Sequence, residues 1–169
     1  GWAVRVGARD DQGSRWVPAG QHPDDRRCAL ADLGLAGNDH QVEHARPGRD
    51  PSFLIGGVPT NWGKGNKIGT GEEFVLEGDE YDTAFFDKGS KFLHYRPRTA
   101  IVTSVEFDHA DIFRDLDHVK AAFRKFIGLI PAEGLLVVNA EDAGAMDVRS
   151  VARCPVETYG VEGPADVPY

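Results

Sequence analysis

Beyond about residue 50 the chain alternates unbroken aliphatic runs with polar connections; before it no such rhythm exists. The run Phe53-Leu54-Ile55 is closed by Gly56, Gly57 and Pro59, which predicts a strand or a helix end followed by a tight loop. Phe74-Val75-Leu76 predicts a short buried strand, Thr99 to about Val105 a second, "GLLVVN" (Gly134 to Asn139) a third and "CPVETYG" (Cys154 to Gly160) a fourth. Between the second and third, Leu116, Val119, Phe123, Phe126, Ile127 and Ile130 follow the helical period and predict a helix from Leu116 to Ile130. Asp115 or Asp117 suits its electropositive start, and Pro131 and Gly134 are expected to stop it.

Strands that alternate with a helix, each an unbroken aliphatic run, predict an α/β fold: a largely parallel sheet flanked by helices. Ligands of such sheets gather beyond the carboxyl ends of the strands, so the loops that start at Glu77, Ser104 and Asn139 carry the candidate chemistry. The first part of the chain reads differently. "RDDQGSR", "QHPDDRR" and "GNDHQVEHARPGRD" are polar without period, and only Arg26 to Gly37 offers a short apolar set. Residues 1–47 are therefore expected to be irregular and residues 48–169 to form the domain.

Composition adds limits. A length of 169 residues, 41% hydrophobic and 27% charged, suits one globular domain. A formal net charge of -8 argues against binding along a nucleic acid backbone, which needs a basic surface. Cys28 and Cys154 belong to no paired motif and read as reduced thiols. No apolar run approaches the roughly 18 residues of a membrane span, and residues 1–30 lack the apolar centre of a signal peptide, so the cytoplasm is the expected address.

The predicted strand ends are crowded with acid. Glu77, Asp79, Glu80 and Asp82 place four carboxylates within six residues, a repulsive arrangement unless a cation sits among them. The second loop carries Glu106, Asp108, His109 and Asp111, and the third Asn139, Glu141 and Asp142. Magnesium takes one or two protein oxygens and completes its shell with phosphate and water, so Glu77 with His109 could hold such an ion against a nucleotide. The same residues also read as solvated turn formers and helix caps, and a lone histidine is more often a hydrogen-bonded surface group than a ligand.

Three blocks, "FLIGGVPTNWG", "EGDEYDTAFFDKGSKFLHYRPRTAIVTSVEFDHADIF" and "GLLVVNAED", resemble in order the central domain of the Mur ligases, ATP-dependent enzymes that add amino acids or peptides to UDP-N-acetylmuramic acid. The resemblance runs from roughly Gly48 to Gly160, and "DEYDTAFFDKGSKFLHYRP" looks most like the members that add a tripeptide, L-alanyl-γ-D-glutamyl-meso-diaminopimelate. It implies ATP and Mg2+ as cofactors and an acyl phosphate made on the muramyl carboxylate, which the incoming amine attacks. Glu77 and His109 match the family's metal-linked, catalytic positions. Asn139 and Asp142 match its nucleotide side, and Gly56, Gly57 and Asn61 lie where it approaches the UDP-sugar.

The chain departs from the family pattern in several places. Ser104 replaces an asparagine, Gly78 an alanine and Glu141 an aspartate. The family's G-T-x-G-K-T-T loop, whose amides and lysine cradle phosphates, has no counterpart in residues 1–50, and no tripeptide-binding domain comes before Tyr169. The expectation is thus a ligase piece that is inactive by itself, with a non-catalytic, UDP-sugar-binding module as the alternative. Asn38 to Arg46 has codons that permit Thr-Thr-Thr-Lys-Ser-Ser-Met-Leu-Ala in a shifted frame, which resembles the family segment just after the phosphate-binding lysine.

Overall fold

The aliphatic runs become strands and the periodic segment a helix. The computed structural model describes residues 50–58, 63–71, 73–78 and 87–160, together with the backbone of five short strands outside those ranges. In chain order the strands are β1 (Trp2–Val6), β2 (Ala8–Arg9), β3 (Trp16–Val17), β4 (Ser52–Leu54), β5 (Asn66–Lys67), β6 (Phe74–Gly78), β7 (Asp82–Ala84), β8 (Asp87–Ser90), β9 (Thr99–Val102), β10 (Leu135–Asn139), β11 (Val156–Gly160) and β12 (Val167–Pro168). The helices are α1 (Leu116–Ile127) and α2 (Ala143–Val148). The chain divides into two compact units, one of Arg5–Glu77 and one of Gly1–Val4 with Gly78–Tyr169.

In the Gly78–Tyr169 unit β9, β10, β11 and β12 run parallel. Leu136 lies opposite Ala100 on one side and Val156 on the other, and Tyr159 lies opposite Val167. Every residue of β9, and Leu135 to Val138 of β10, is buried. Successive residues of a strand point to opposite faces, so burial without alternation means that both faces are covered, which is why the sequence shows runs and not alternation.

Helix α1 connects β9 to β10. The Asp115 side chain accepts a hydrogen bond from His118 N at 2.8 Å and caps its start. Val119, Ala122, Phe123, Phe126 and Ile127 turn inward. The helix stops at Ile127, earlier than the expected Ile130, because the chain tightens there. Leu129 N and Ile130 N bond back only three residues, to the carbonyls of Phe126 and Ile127. Ile130 is nevertheless buried, whereas Leu116, expected on the apolar face, sits in the first turn and is 38% exposed.

A 3-10 turn, Lys91–His94, follows the hairpin of β7 and β8 and drives Phe92 into this core. The Phe92 ring centroid lies 5.1 Å from that of Phe123 and 4.8 Å from that of Phe126, both tilted. On the outside, Asp147 of α2 bonds Lys120 Nζ at 2.9 Å and Arg124 Nη2 at 3.0 Å on α1, and the bond from Lys120 is the main reason its carboxyl is held below the usual range.

In the Arg5–Glu77 unit β4 pairs parallel with β6 and antiparallel with β5, while β2 and β3 form an antiparallel pair. Asp50 organises the segment after β5. Its carboxylate accepts from Lys67 Nζ and from the Thr70 amide and hydroxyl, and these bonds, Lys67 first, hold its pKa at about 2. Strands β1, β2 and β3 lie in the stretch expected to be irregular; the rest of residues 1–47, Asn38 to Arg46 included, lies outside the described residues.

Candidate functional site

The parallel register of β4 and β6 decides where Glu77 points its carboxylate. Leu54 lies opposite Leu76, so the two strands end side by side and the chain leaving β4 passes the Glu77 side chain. The Gly56 amide donates to Glu77 Oε2 at 2.5 Å. A Cβ at Gly56 would stand 3.1 Å from that same oxygen, a tight contact that the Glu77 side chain would have to relieve by shifting a few tenths of an ångström. Two residues singled out separately in the sequence thus form one hydrogen-bonded unit.

Gly57 has open space around the position of a Cβ, so packing does not explain a glycine there. Gly65 is the tightly held one. A side chain there would collide with the carbonyls of Ile55 and Gly57, and its own carbonyl accepts from the Ile55 amide at 2.7 Å. The polar run around it, "WGKGNK", gives no apolar pattern from which this could be read. Asn61, Asp79 and Glu80 lie outside the described residues.

In the Gly78–Tyr169 unit the exits of β9 and β10 are tied together by side chains. Asn139 Nδ2 donates to the Thr103 carbonyl at 3.1 Å, while Asn139 Oδ1 accepts from the Glu141 amide at 3.0 Å. Asp142 Oδ1 accepts from Val105 N at 3.1 Å and from Ala145 N at 2.6 Å, the latter bond capping α2. The expected continuation of β9 to Val105 is therefore replaced: these backbone groups bond side chains instead of a neighbouring strand, and the strand ends at Val102. Asn139 and Asp142, which the family resemblance assigns to the nucleotide, spend polar atoms on holding the protein. A cap signal exists for Asp142, an aspartate directly before the helix-forming Ala-Gly-Ala-Met.

His109 sits in the connection from β9 to α1 with φ of 57°, a left-handed backbone that non-glycine residues seldom adopt. Its carbonyl accepts from the amides of Ile112 at 2.8 Å and Phe113 at 2.9 Å, and its amide donates to Asp108 Oδ1 at 2.6 Å. The imidazole Nδ1 lies 3.8 Å from Asp108 Oδ1, and the side chain is 20% exposed. The other described histidines, His94 and His118, have different surroundings. His94 Nε2 lies 3.0 Å from Asp87 Oδ2, and the His118 ring packs edge-on against Phe113 at 5.3 Å. Among the described residues no three His, Cys, Asp or Glu side chains gather around a metal-sized space.

Comparison with known proteins places this chain in a family. Residues 66–168 match the Mur ligase middle domain. The chain is 49% identical over 104 residues to the UDP-N-acetylmuramate--L-alanyl-gamma-D-glutamyl-meso-2,6-diaminoheptandioate ligase of Haemophilus influenzae, covering 62% of this chain and 23% of that protein. It is 49% identical over 95 residues to the Escherichia coli ligase of the same name, 56% of this chain and 21% of that one. The chain thus spans less than a quarter of the length of these curated relatives. Among solved structures it resembles the UDP-N-acetylmuramate:L-alanyl-gamma-D-glutamyl-meso-diaminopimelate ligase from Neisseria meningitides, with a TM-score of 0.59 and 45% identity over 64% of this chain and 37% of that one. A murein peptide ligase from Psychrobacter arcticus gives a TM-score of 0.59 and 35% identity over 72% and 28%. The α/β architecture, its parallel strands and this match over more than half of the sequence agree, and the chain belongs to the Mur ligase middle-domain family.

Proposed function

We propose that this chain is the middle-domain portion of an ATP-dependent, carbon–nitrogen bond-forming ligase that joins L-alanyl-γ-D-glutamyl-meso-diaminopimelate to UDP-N-acetylmuramate in the cytoplasm, as part of peptidoglycan metabolism. The observation that carries this reading is the 49% identity over 104 residues to the Haemophilus influenzae ligase. The partners are small molecules, with no role for nucleic acid or membrane.

In this reading Glu77 and His109 are the protein's ligands to Mg2+. When bound, the ion supplies screening of the phosphate oxygens and of the charge that develops on the transferred group. Glu77 suits the task because the Gly56 amide fixes one carboxylate oxygen, Oε2, and orients the other. Gly56, Gly57 and Asn61 are assigned to the UDP-sugar, and Asn139 to the adenine. Residues 1–50 carry no G-T-x-G-K-T-T loop, so the chain by itself binds ATP weakly and does not turn over.

Calorimetry and amide NMR test this. UDP-N-acetylmuramate at millimolar concentration is expected to move the Gly56 and Gly57 resonances; resonances that stay in place would remove the sugar assignment. ATP with Mg2+ is expected to bind no tighter than millimolar, and Glu77→Gln is expected to abolish the Mg2+-dependent part. Micromolar binding would overturn the predicted inactivity, and an unchanged affinity in Glu77→Gln would overturn the role of that carboxylate.

A further inference from the structure

We propose that Asp142 is a positioning residue: its carboxylate sets the path of residues 103–109 and thereby the orientation of the His109 imidazole. This rests on the reading of His109 as a metal-linked group. One oxygen, Oδ1, bonds two amides that lie 40 residues apart in the chain, Val105 N and Ala145 N. It therefore joins the exit of β9 to the first turn of α2.

Two further observations make this junction firm. Asn139 Nδ2 holds the Thr103 carbonyl, so the chain is tethered again two residues before Val105. Gly144 lies so close to Val105 that an added Cβ would overlap the Val105 carbonyl oxygen, and Val105 is only 3% exposed. Residues 103–105 are thus fixed from the β10 side by hydrogen bonds and close packing together.

Four residues beyond Val105, His109 adopts its left-handed backbone. Such a conformation is unfavourable for a residue with a Cβ and persists where its surroundings over-determine it. The surroundings hold the connection at both ends. Phe113, 3% exposed, anchors the far end, and its amide bonds the His109 carbonyl. Asp142 anchors the near end. If the near end is released, the bonds of His109 to Asp108, Ile112 and Phe113 remain but the path of residues 103–108 that leads into them is freed, and the direction of the His109 Cα–Cβ bond changes with that path.

Asp142 also caps α2, so a test must separate cap from clamp. Serine is as good a cap as aspartate, but its oxygen is one bond shorter and does not reach Val105 N. Asparagine keeps an acceptor at the length of aspartate. The readouts are amide hydrogen exchange and the His109 ring resonances at fixed pH, in the full chain without nucleotide or metal. The outcome is therefore independent of whether His109 binds Mg2+.

In Asp142→Ser the Val105 amide is expected to exchange about tenfold faster or more, the loss of one hydrogen bond to a charged acceptor. The His109 ring resonances are expected to move while Ala145, Val137 and Val138 stay protected. Asp142→Asn is expected to keep the wild-type pattern. Unchanged Val105 exchange or unmoved His109 resonances in Asp142→Ser would overturn the proposal, as would Asp142→Asn behaving like the serine variant. If Asp142→Ser does not fold, Asn139→Ala, which removes the Thr103 tether and the Glu141 bond but leaves the Asp142 carboxylate in place, decides: faster exchange at Val105 with shifted His109 resonances supports the clamp, and wild-type values refute it.

Discussion

Replacing Phe92 with alanine tests whether the 3-10 turn is seated in the core. The ring is 1% exposed and touches two other rings, with centroid distances of 5.1 Å to Phe123 and 4.8 Å to Phe126. Truncating a core phenylalanine costs about 3–5 kcal/mol, and each tilted aromatic pair contributes about 0.5–1.5 kcal/mol beyond its buried area. Two such pairs keep this site from the low end of the range, at about 4 kcal/mol. With a urea dependence of about 2 kcal/mol per molar, the denaturation midpoint is expected to fall by about 2 M. Phe92→Leu keeps most of the volume but loses both ring pairs, and is expected to cost about 1–3 kcal/mol, less than the alanine variant. Urea titration followed by far-ultraviolet circular dichroism reads both. A fall of less than about 0.5 M in Phe92→Ala, with the slope unchanged, would refute the seating of this turn against α1.

Acid titration and helix capping supply further tests. Asp50, held at about 2 by Lys67 and Thr70, and Asp147, held low by Lys120 and then Arg124, are both depressed below 3.8. A depressed carboxyl stabilises the fold fully above its unfolded pKa and loses that contribution as pH falls through the folded value, so stability is expected to drop between about pH 4 and pH 2. Asp50→Asn and Asp147→Asn are expected to flatten that drop in urea midpoints measured across the window, and slopes equal to wild type would refute the pairing. Asp115→Ala removes the acceptor for His118 N and is expected to cost about 1 kcal/mol, a melting shift of about 2–4 °C. Asp115→Ser is expected to restore the wild-type melting temperature, and failure to do so would show that the cap is not the cause.

The legible part of the fold is the part with long apolar runs. β9 and β10, buried almost throughout, β6 and β11, half-buried, and the amphipathic α1 are visible because each leaves its apolar pattern in consecutive residues. β5, only Asn66 and Lys67, has no such pattern, because its pairing with β4 is a matter of backbone bonds alone. Phe92 reads as one aromatic in a charged stretch; its burial depends on Phe123 and Phe126, about thirty residues later. The candidate site is readable as residue types at strand ends. The link from Gly56 to Glu77 and that from Val105 to Asp142 span 21 and 37 residues, and partnerships at such separations leave no local trace. Asn139 and Asp142 illustrate the limit: sequence can nominate them as polar groups near a ligand, but only coordinates show how much of their bonding capacity the protein itself consumes.

The placement of β10 between β9 and β11 has a consequence for biogenesis. One of its partners precedes it on the ribosome and the other comes after, so its far edge stays open until Val156 to Gly160 has been made. Synthesis delivers about 5–20 residues per second, which leaves one edge of Leu135 to Asn139, all aliphatic but the last, without its partner for about a second or more. A released chain truncated between Asn139 and Val156 should therefore be a preferred client of chaperones, and a chain extended through Gly160 should lose that dependence.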